Sequence, residues 1–194
     1  MQYYLYHGDL VGRLFTWQLV QAADRGVRVR LLVDDMDLAG RDLAVAALES
    51  HPNMEVRIFN PFSRQTGRGS QYVTRMGSVT RRMHNKSFTV DSQATILGGR
   101  NIGNEYFEAN PDLVFADLDV LAIGPVAREV STAFDHYWNS ELAYPVSVLV
   151  DKPPTPEEIG RMRQQLKEFV ASHADSAYLQ ALRNSDLADK IRKN

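Results

Sequence analysis

The sequence has 194 residues, of which 44% are hydrophobic and 24% are charged, a composition typical of a folded globular protein. Its 22 basic and 24 acidic side chains give a net charge of -2, which argues against a strongly basic nucleic-acid-binding protein. The absence of cysteine excludes disulfides, thiol nucleophiles and thiolate metal sites. Because no apolar run reaches 18 residues and no signal sequence is evident, we expect a soluble chain that neither spans a membrane nor carries its own export signal.

The first sixty residues alternate between predicted strands and predicted helices. Apolar periodicity predicts strands at 2–6, 27–33 and 54–59, and helices at 10–23 and 41–49. Asp34 and Asp35 follow the second strand at its carboxyl end. The alternation indicates an α/β sheet that contains parallel strands.

Residues 60–80 are rich in Gly, Ser and Arg, lack periodicity, and are predicted to form a long loop. No acidic residue lies between Glu55 and Asp91. The basic residues in that interval are Arg57, Arg64, Arg68, Arg75, Arg81, Arg82 and Lys86. Such a run is usually a solvated face, but beside a phosphate-processing site it could attract anionic lipid headgroups or a nucleic-acid backbone. Both interpretations stay open.

The second part of the chain predicts a hairpin, a further strand and three helices. The predicted elements are strands at 86–90, 95–97 and 118–123, a turn at 91–93, a break at Gly98-Gly99, and helices at 125–138, from Pro156 onwards, and around Tyr178. Lys152-Pro153-Pro154 is typical of a stiff linker. We therefore predict a mixed β-sheet flanked by helices over residues 1–145, followed by a helical appendage over 146–194.

One constellation carries chemistry. It reads His-x-Lys, four residues, Asp, six residues, Gly-Gly-x-Asn, and consists of His84, Lys86, Asp91, Gly98, Gly99 and Asn101. Two positions apart on a strand, His84 and Lys86 project from one face and can converge on one phosphate. A neutral imidazole can attack phosphorus while Lys86 and Asn101 stabilise the non-bridging oxygens, and this chemistry requires no metal or other cofactor.

An isolated His-x-Lys pair is usually only a polar strand face, but the full spacing in a strand, hairpin and glycine context favours a functional site. Asp91 lies at the predicted turn, and the two-residue period places it on the face opposite His84. We therefore interpret Asp91 as structural rather than catalytic.

This motif, together with the segments 22–30 and 82–86, resembles the phospholipase D superfamily and in particular the bacterial cardiolipin synthases that carry two such motifs. The likeness covers roughly residues 1–145, and the tail resembles their inter-motif spacer. The resemblance implies a phosphatidyltransferase that acts through a phosphohistidine, with Gly98, Gly99 and Arg82 near its phospholipid substrate. It also implies a bacterial parent protein located peripherally at the inner membrane.

The segment 115–120 is similar to a Phe-x-Asp-x-x-Val segment of the same synthases. By that resemblance Asp117 accepts a hydrogen bond from the second ring nitrogen of His84, which would fix the tautomer and stabilise the imidazolium. Asp119 shares the strand face and is the second candidate for this role. The alternative is that both carboxylates merely solvate the start of a strand.

The chain departs from the two-motif pattern because none of its other histidines begins a His-x-Lys motif. Those histidines are His7, His51, His136 and His173. In the family that this chain resembles, one histidine forms the covalent intermediate and the other serves as acid and base. We assign His84 as the nucleophile by that analogy, and we expect the chain to hold one of two half-sites.

The missing half-site leaves several partners and functions open. The helical tail and the start in mid-strand suggest that the partner half follows residue 194 in a longer parent, whereas a homodimer would supply a second copy of His84. A hydrolytic phospholipase D is the nearest variant of the proposed transferase. A dimeric nuclease-like phosphodiesterase is disfavoured by the net charge, and a non-catalytic fragment that binds anionic membrane is the third alternative.

Overall fold

The computed structural model describes residues 1–66, 69–71, 77, 80–185 and 190. Within these residues seven strands form one sheet in the order β6-β5-β4-β1-β2-β3-β7. The strands are β1 (Gln2–Tyr3), β2 (Val29–Asp34), β3 (Met54–Phe59), β4 (Ser87–Val90), β5 (Ala94–Gly98), β6 (Asp119–Ile123) and β7 (Ala143–Pro145). The helices are α1 (Leu10–Asp24), α2 (Asp42–Glu49), α3 (Pro125–Trp138), α4 (Pro156–Ser172) and α5 (Ala177–Arg183). The predicted mixed α/β sheet is therefore confirmed.

The sheet has a parallel part and an antiparallel part that meet at β1. β1 pairs in parallel with β2, which pairs in parallel with β3. On its other side β1 pairs antiparallel with β4 through Gln2 and Ser87, and β4, β5 and β6 continue antiparallel. The two residues of β1 thus join the α/β part of the sheet to the hairpin region that follows residue 84.

Helices cover both faces of the central strands because β2 is apolar on both sides. Leu31 and Val33 face a core that includes residues of α1 and α2. Leu32, which alternates with them, faces the opposite core, where α3 contributes Phe134 and Trp138. The central strands are therefore buried on both faces, as expected for parallel strands in an α/β sheet.

The tail helices pack on the sheet domain. Thr155 and Glu158 form a capping box at the start of α4, as the sequence of this segment favours. Arg163 of α4 donates a hydrogen bond to Asp24 of α1 at 2.5 Å. Val146, just past the predicted boundary, is fully buried in the core beside α2. The division of the chain at residue 145 stays a prediction.

Several element boundaries differ from prediction. The first strand contains only Gln2 and Tyr3, and Tyr6 forms an isolated bridge with Ile102 instead of extending the strand. β7 was not predicted, because a three-residue edge strand has too short a pattern to detect. Among the described residues, no helix is both long and apolar enough to cross a membrane.

Candidate active site

His84 and Lys86 lie in the segment that leads into β4, which begins at Ser87, one residue later than the predicted strand start. Their side chains lie side by side: the Lys86 Nζ is 2.9 Å from His84 Nδ1 and 3.3 Å from Nε2. The same ammonium donates to the His84 carbonyl oxygen at 2.7 Å. The local backbone therefore holds the ammonium against the edge of the imidazole.

This arrangement favours the neutral imidazole. Desolvation, and then the positive charge of Lys86, lower the pKa of His84 below its ordinary value. Desolvation also lowers the pKa of Lys86, which is only 8% exposed, while the carboxylate of Asp117 opposes that shift. A neutral ring nitrogen beside a cationic donor is the combination that attack on a phosphate ester requires.

A pocket of about 480 Å³ brings most of the predicted site residues together. It is lined by His84, Lys86, Gly98, Gly99, Asn101, Tyr106, Phe115, Ala116 and Asp117. The loop after β5 and the segment before β6 form one wall, and the segment before β4 forms another. The volume falls within the range of small-molecule binding sites.

Asn101 is fixed by the first segment of the chain. Its side-chain oxygen accepts a hydrogen bond from the backbone N–H of Leu5 at 3.0 Å, and the residue is 4% exposed. Two backbone hydrogen bonds hold the two segments together: the N–H of Ile102 donates to the carbonyl oxygen of Leu5, and the N–H of His7 donates to that of Ile102. Because the oxygen is engaged, the amide NH₂ is the end of Asn101 that can donate to an anion in the pocket.

Gly98 and Gly99 allow the pocket wall to pack closely. A Cβ at Gly99 would overlap the carboxylate of Asp117, and a Cβ at Gly98 would overlap Leu118 and Asp119. The two glycines therefore permit the β5 end to lie directly against the segment before β6.

The expected hydrogen bond from the His84 ring to Asp117 is not formed in the described structure. Lys86 occupies the position beside both ring nitrogens, while the Asp117 carboxylate lies against Gly99 and acts on the charge of Lys86. Asp119 lies outside the pocket lining, and its carboxylate instead accepts from the backbone N–H of Arg100 at 3.4 Å.

These residues occur in a chain that matches the family model described as cardiolipin synthase, phospholipase D-like domain, over residues 1–138. The chain belongs to this phospholipase D-like family. It is 44% identical to cardiolipin synthase C of Escherichia coli (strain K12), over 98% of this chain and 40% of that protein. It is 28% identical to cardiolipin synthase A of Pseudomonas entomophila (strain L48), over 92% of this chain and 36% of that protein.

The fold is also similar to that of a solved structure, NucT from Helicobacter pylori, with a TM-score of 0.50 and 16% sequence identity. That similarity covers 74% of this chain and 77% of the other. The chain spans two fifths or less of the two cardiolipin synthases above. The family and its fold are thus shown for this chain, which corresponds to only part of those longer relatives.

The structure places Arg82, predicted to contact substrate, outside this phospholipase D-like pocket. Its guanidinium donates to Asp34 at 2.9 Å and to the carbonyl oxygen of Asn60 at 2.5 Å. It also lies 4.8 Å from the centre of the Phe62 ring. Arg82 therefore neutralises a buried carboxylate at the end of β2, and nothing in this geometry supports a substrate contact.

The positive charge of the basic interval between Glu55 and Asp91 is partly neutralised in the folded structure. Arg64 forms ion pairs with Asp35 and Asp42, which come from the end of β2 and from α2. Arg57 stacks on Trp138 and donates to its carbonyl oxygen. Arg68 and Arg75 lie outside the described residues. The sequence pattern overstated the local positive charge, because the acidic residues that pair with Arg64 in the folded chain lie outside the basic interval.

Asp91 lies at the hairpin turn, as predicted. Asp91 and Ser92 both have positive φ angles, 50° and 53°, and the N–H of Gln93 donates to the carbonyl oxygen of Val90 at 3.0 Å. Asp is among the residues that tolerate this conformation. Its place away from the pocket lining agrees with the structural interpretation.

Three aromatic residues near the site had no assigned role in the sequence. The Tyr4 ring packs on His84 with a centroid distance of 4.6 Å and lies 5.5 Å from the Lys86 Nζ. Tyr106 and Phe115 line the pocket and contact each other at 5.1 Å. No local pattern identifies Tyr4, because it reaches His84 only through the pairing of β1 with β4.

Proposed function

We propose that this chain is one catalytic half of a phosphatidyltransferase of the cardiolipin synthase kind. The observation that carries the proposal is the contact between Lys86 and His84 in a pocket that also contains the Asn101 amide. The similarity to proteins named cardiolipin synthase supports the choice among phosphodiester reactions.

In the first step, a neutral nitrogen of His84 attacks the phosphorus of a phospholipid. A P–N bond forms, the P–O bond to the headgroup alcohol breaks, and an acid protonates the departing oxygen. In the second step, an acceptor alcohol loses its proton to a base and attacks phosphorus. The new P–O bond forms as the P–N bond breaks, which regenerates His84.

Charge on the phosphoryl oxygens is stabilised from one side of the pocket. The Lys86 ammonium and the Asn101 NH₂ donate to the non-bridging oxygens, while the close approach allowed by Gly98 and Gly99 brings the phosphate within reach. Asp117 acts as a positioning residue, because its carboxylate favours the charged form of Lys86. This role replaces the direct contact with His84 that the sequence suggested.

The acid that protonates the leaving alcohol comes from a second half-site. A second His-x-Lys motif is absent from the sequence, so the complementary histidine belongs to another part of a longer protein or to a second copy. We propose the former, because each of the two cardiolipin synthases compared extends well beyond the aligned region. The substrate is a phospholipid, the acceptor is a lipid alcohol, and the protein works peripherally at the bacterial inner membrane.

The test compares the purified chain with the same chain joined to, or mixed with, the second half of its longer parent. The chain alone should fold but show phosphatidyl transfer near background, since loss of general acid catalysis alone costs about 10²- to 10⁴-fold in rate. The combined halves should transfer phosphatidyl groups between lipids in vesicles. A His84→Ala variant of the combined protein should be inactive and should form no phosphorylated enzyme.

Three outcomes would replace the proposal. Robust turnover by a dimeric chain alone, abolished by His84→Ala, would indicate a homodimeric enzyme whose two copies of His84 face each other. Hydrolysis of DNA or RNA without lipid transfer would indicate a nuclease-like phosphodiesterase. Membrane binding without turnover of any phosphodiester by the combined halves would indicate a non-catalytic lipid-binding role.

A further inference from the structure

A second cavity, of about 490 Å³, lies on the face of the sheet opposite α3. Its floor includes Leu31 and Val33 of β2, its walls are α1 and α2, and its roof is the apolar stripe of α4, which comprises Ile159, Met162 and Leu166. Apolar atoms make up most of its surface. It shares no lining residue with the His84 pocket.

The roof of this cavity differs from its floor in burial. Leu31 and Val33 are 4% and 2% exposed, whereas no residue of α4 is fully buried. An amphipathic helix ordinarily buries its apolar stripe against neighbouring side chains. Here the stripe remains half-buried because it faces a volume that protein side chains do not fill. A largely apolar volume of this kind favours an apolar ligand.

The charged groups that line the cavity are all basic. They are His7, Arg13, Arg41, His51 and Arg163, and no acidic side chain lines it among the described residues. Four of these groups have carboxylate partners nearby: His7 and Arg41 pair with Asp37, and His51 and Arg163 pair with Asp24. Those four are largely neutralised.

Arg13 is the exception. It is exposed yet lines the cavity, which places it at the opening. Its Nε donates to the carbonyl oxygen of Gly8 at 2.8 Å, and its guanidinium lies 4.3 Å from the centre of the Phe169 ring. Within the part of the chain that the structure describes, no carboxylate pairs with it. The remaining donors of a stacked, fixed guanidinium suit a carboxylate or phosphate.

We propose that this cavity binds a single-chain anionic amphiphile, a long-chain fatty acid, with its alkyl chain between β2 and α4 and its carboxylate at Arg13. The cavity volume of about 490 Å³ lies within the usual range of small-molecule pockets and suits one alkyl chain rather than the two of a phospholipid. The site is separate from the proposed catalytic pocket and does not depend on it.

The experiment uses the purified full chain, stripped of lipid, and measures binding of dodecanoate and dodecanol by calorimetry. Met162→Trp fills the roof and should weaken binding of both about tenfold or more. Lys167→Trp adds the same bulk on the exposed face of α4 and should leave binding unchanged. Arg13→Gln should weaken dodecanoate about two- to fivefold, as expected for an exposed ion pair, without affecting dodecanol.

A second measurement covers the case in which Met162→Trp unfolds the chain. Dodecanoate should shift the methyl resonance of Ile159 in the unmodified protein, and Ala47→Leu, a smaller addition to the cavity lining, should weaken that response. The proposal is overturned if neither ligand binds, if Lys167→Trp weakens binding as much as Met162→Trp, or if the Ile159 methyl does not respond. Unchanged dodecanoate binding in Arg13→Gln, or equal loss of dodecanoate and dodecanol binding, would overturn the anionic part. None of these readouts involves phosphodiester turnover.

Discussion

The ammonium of Lys86 contacts the imidazole of His84 at Nδ1, 2.9 Å away, and also donates to the carbonyl oxygen of the same residue. His84 thus positions Lys86, and the charge of Lys86 in turn affects the protonation of the His84 ring. Because it is 8% exposed, its charge acts on the ring through little solvent.

The first prediction concerns this pair. The pKa of His84 lies below its ordinary value because of desolvation and the Lys86 charge, so Lys86→Gln should raise it. The imidazole of the unmodified chain should stay neutral to lower pH than a free histidine does. Titration of the ring followed by ¹⁵N NMR measures both values directly. An unchanged His84 pKa in Lys86→Gln would show that the lysine does not control the ring.

The second prediction separates Asp117 from Asp119. Asp117→Asn should lower the pKa of Lys86, because the carboxylate that favours the ammonium is lost. In the active protein that combines this chain with the second half-site, Asp117→Asn should reduce kcat more than it changes KM. Asp119→Asn should leave the Lys86 pKa unchanged, since that carboxylate lies toward Arg100. NMR titration of the Lys86 Nζ and steady-state kinetics would distinguish the two, and the reverse pattern would transfer the role to Asp119.

The third prediction concerns two helical glycines with opposite surroundings. A Cβ at Gly12 of α1 would overlap the carbonyl oxygen of His7, whereas a Cβ at Gly160 of α4 would meet no atom within 4 Å. Gly12→Ala should therefore lower the free energy of unfolding by about 1–3 kcal/mol. Gly160→Ala should raise it by about 0.5–1 kcal/mol, because alanine favours the helix. Urea unfolding measures both, and destabilisation by both changes would contradict the argument.

The fourth prediction is a pH dependence of stability that arises at His7. Its ring contacts Asp37 at 2.8 Å and Glu105 at 2.9 Å, and Asp9 adds a further negative charge, so its pKa is raised above the ordinary 6.5. The stabilisation is complete below the unfolded pKa, near 6.5, and is lost as the pH rises through the higher folded value. Arg41, bound to Asp37, limits the effect.

The measurement is the free energy of unfolding of the unmodified chain and of His7→Gln from pH 5.5 to 9. The difference between the two proteins should shrink as the pH rises. A constant difference across this range would exclude a charged His7 as the cause.

The fifth prediction concerns Arg82 and Asp34. Burial raises the pKa of Asp34 to about 6, while Arg82 and the backbone N–H groups of Met83 and Met36 oppose that shift. Arg82→Ala should reduce the free energy of unfolding by about 3 kcal/mol, because it leaves a buried carboxylate without its cation. The exposed neighbour Arg81 provides the control, as Arg81→Ala should change stability by less than about 0.5 kcal/mol. A raised KM with normal stability in Arg82→Ala would instead support the predicted contact between Arg82 and the substrate.

The sequence alone was sufficient to predict the strands and helices that have strong local patterns, and to identify the spacing of the His84 motif. The apolar residues of β2 and β3, and the capping box at Thr155, are determined by near neighbours. The convergence of His84, Gly99 and Asn101 on one pocket follows because a hairpin connects them. The assignment of individual catalytic roles remains a prediction.

Contacts between distant segments could not be read from local patterns. The pairing of Arg64 with Asp35, 29 residues apart, cancels charge that the sequence count left in place. The ring of Tyr4 on His84 and the hydrogen bond from Leu5 to Asn101 depend on where β1 enters the sheet. Each is a tertiary contact whose partner no periodicity identifies.

The two residues of β1 have a consequence for how the protein folds. The hairpin β4–β5 closes a short loop, whereas β1 must pair Gln2 with Leu32 on one side and with Ser87 on the other. Long loops close more slowly than short ones, so we expect β1 to insert late, between two parts that have already formed. Until β1 pairs with both of its neighbours, the Tyr4 ring does not pack on His84 and the N–H of Leu5 does not donate to Asn101. The reactive surface is thus assembled by a long-range step of folding.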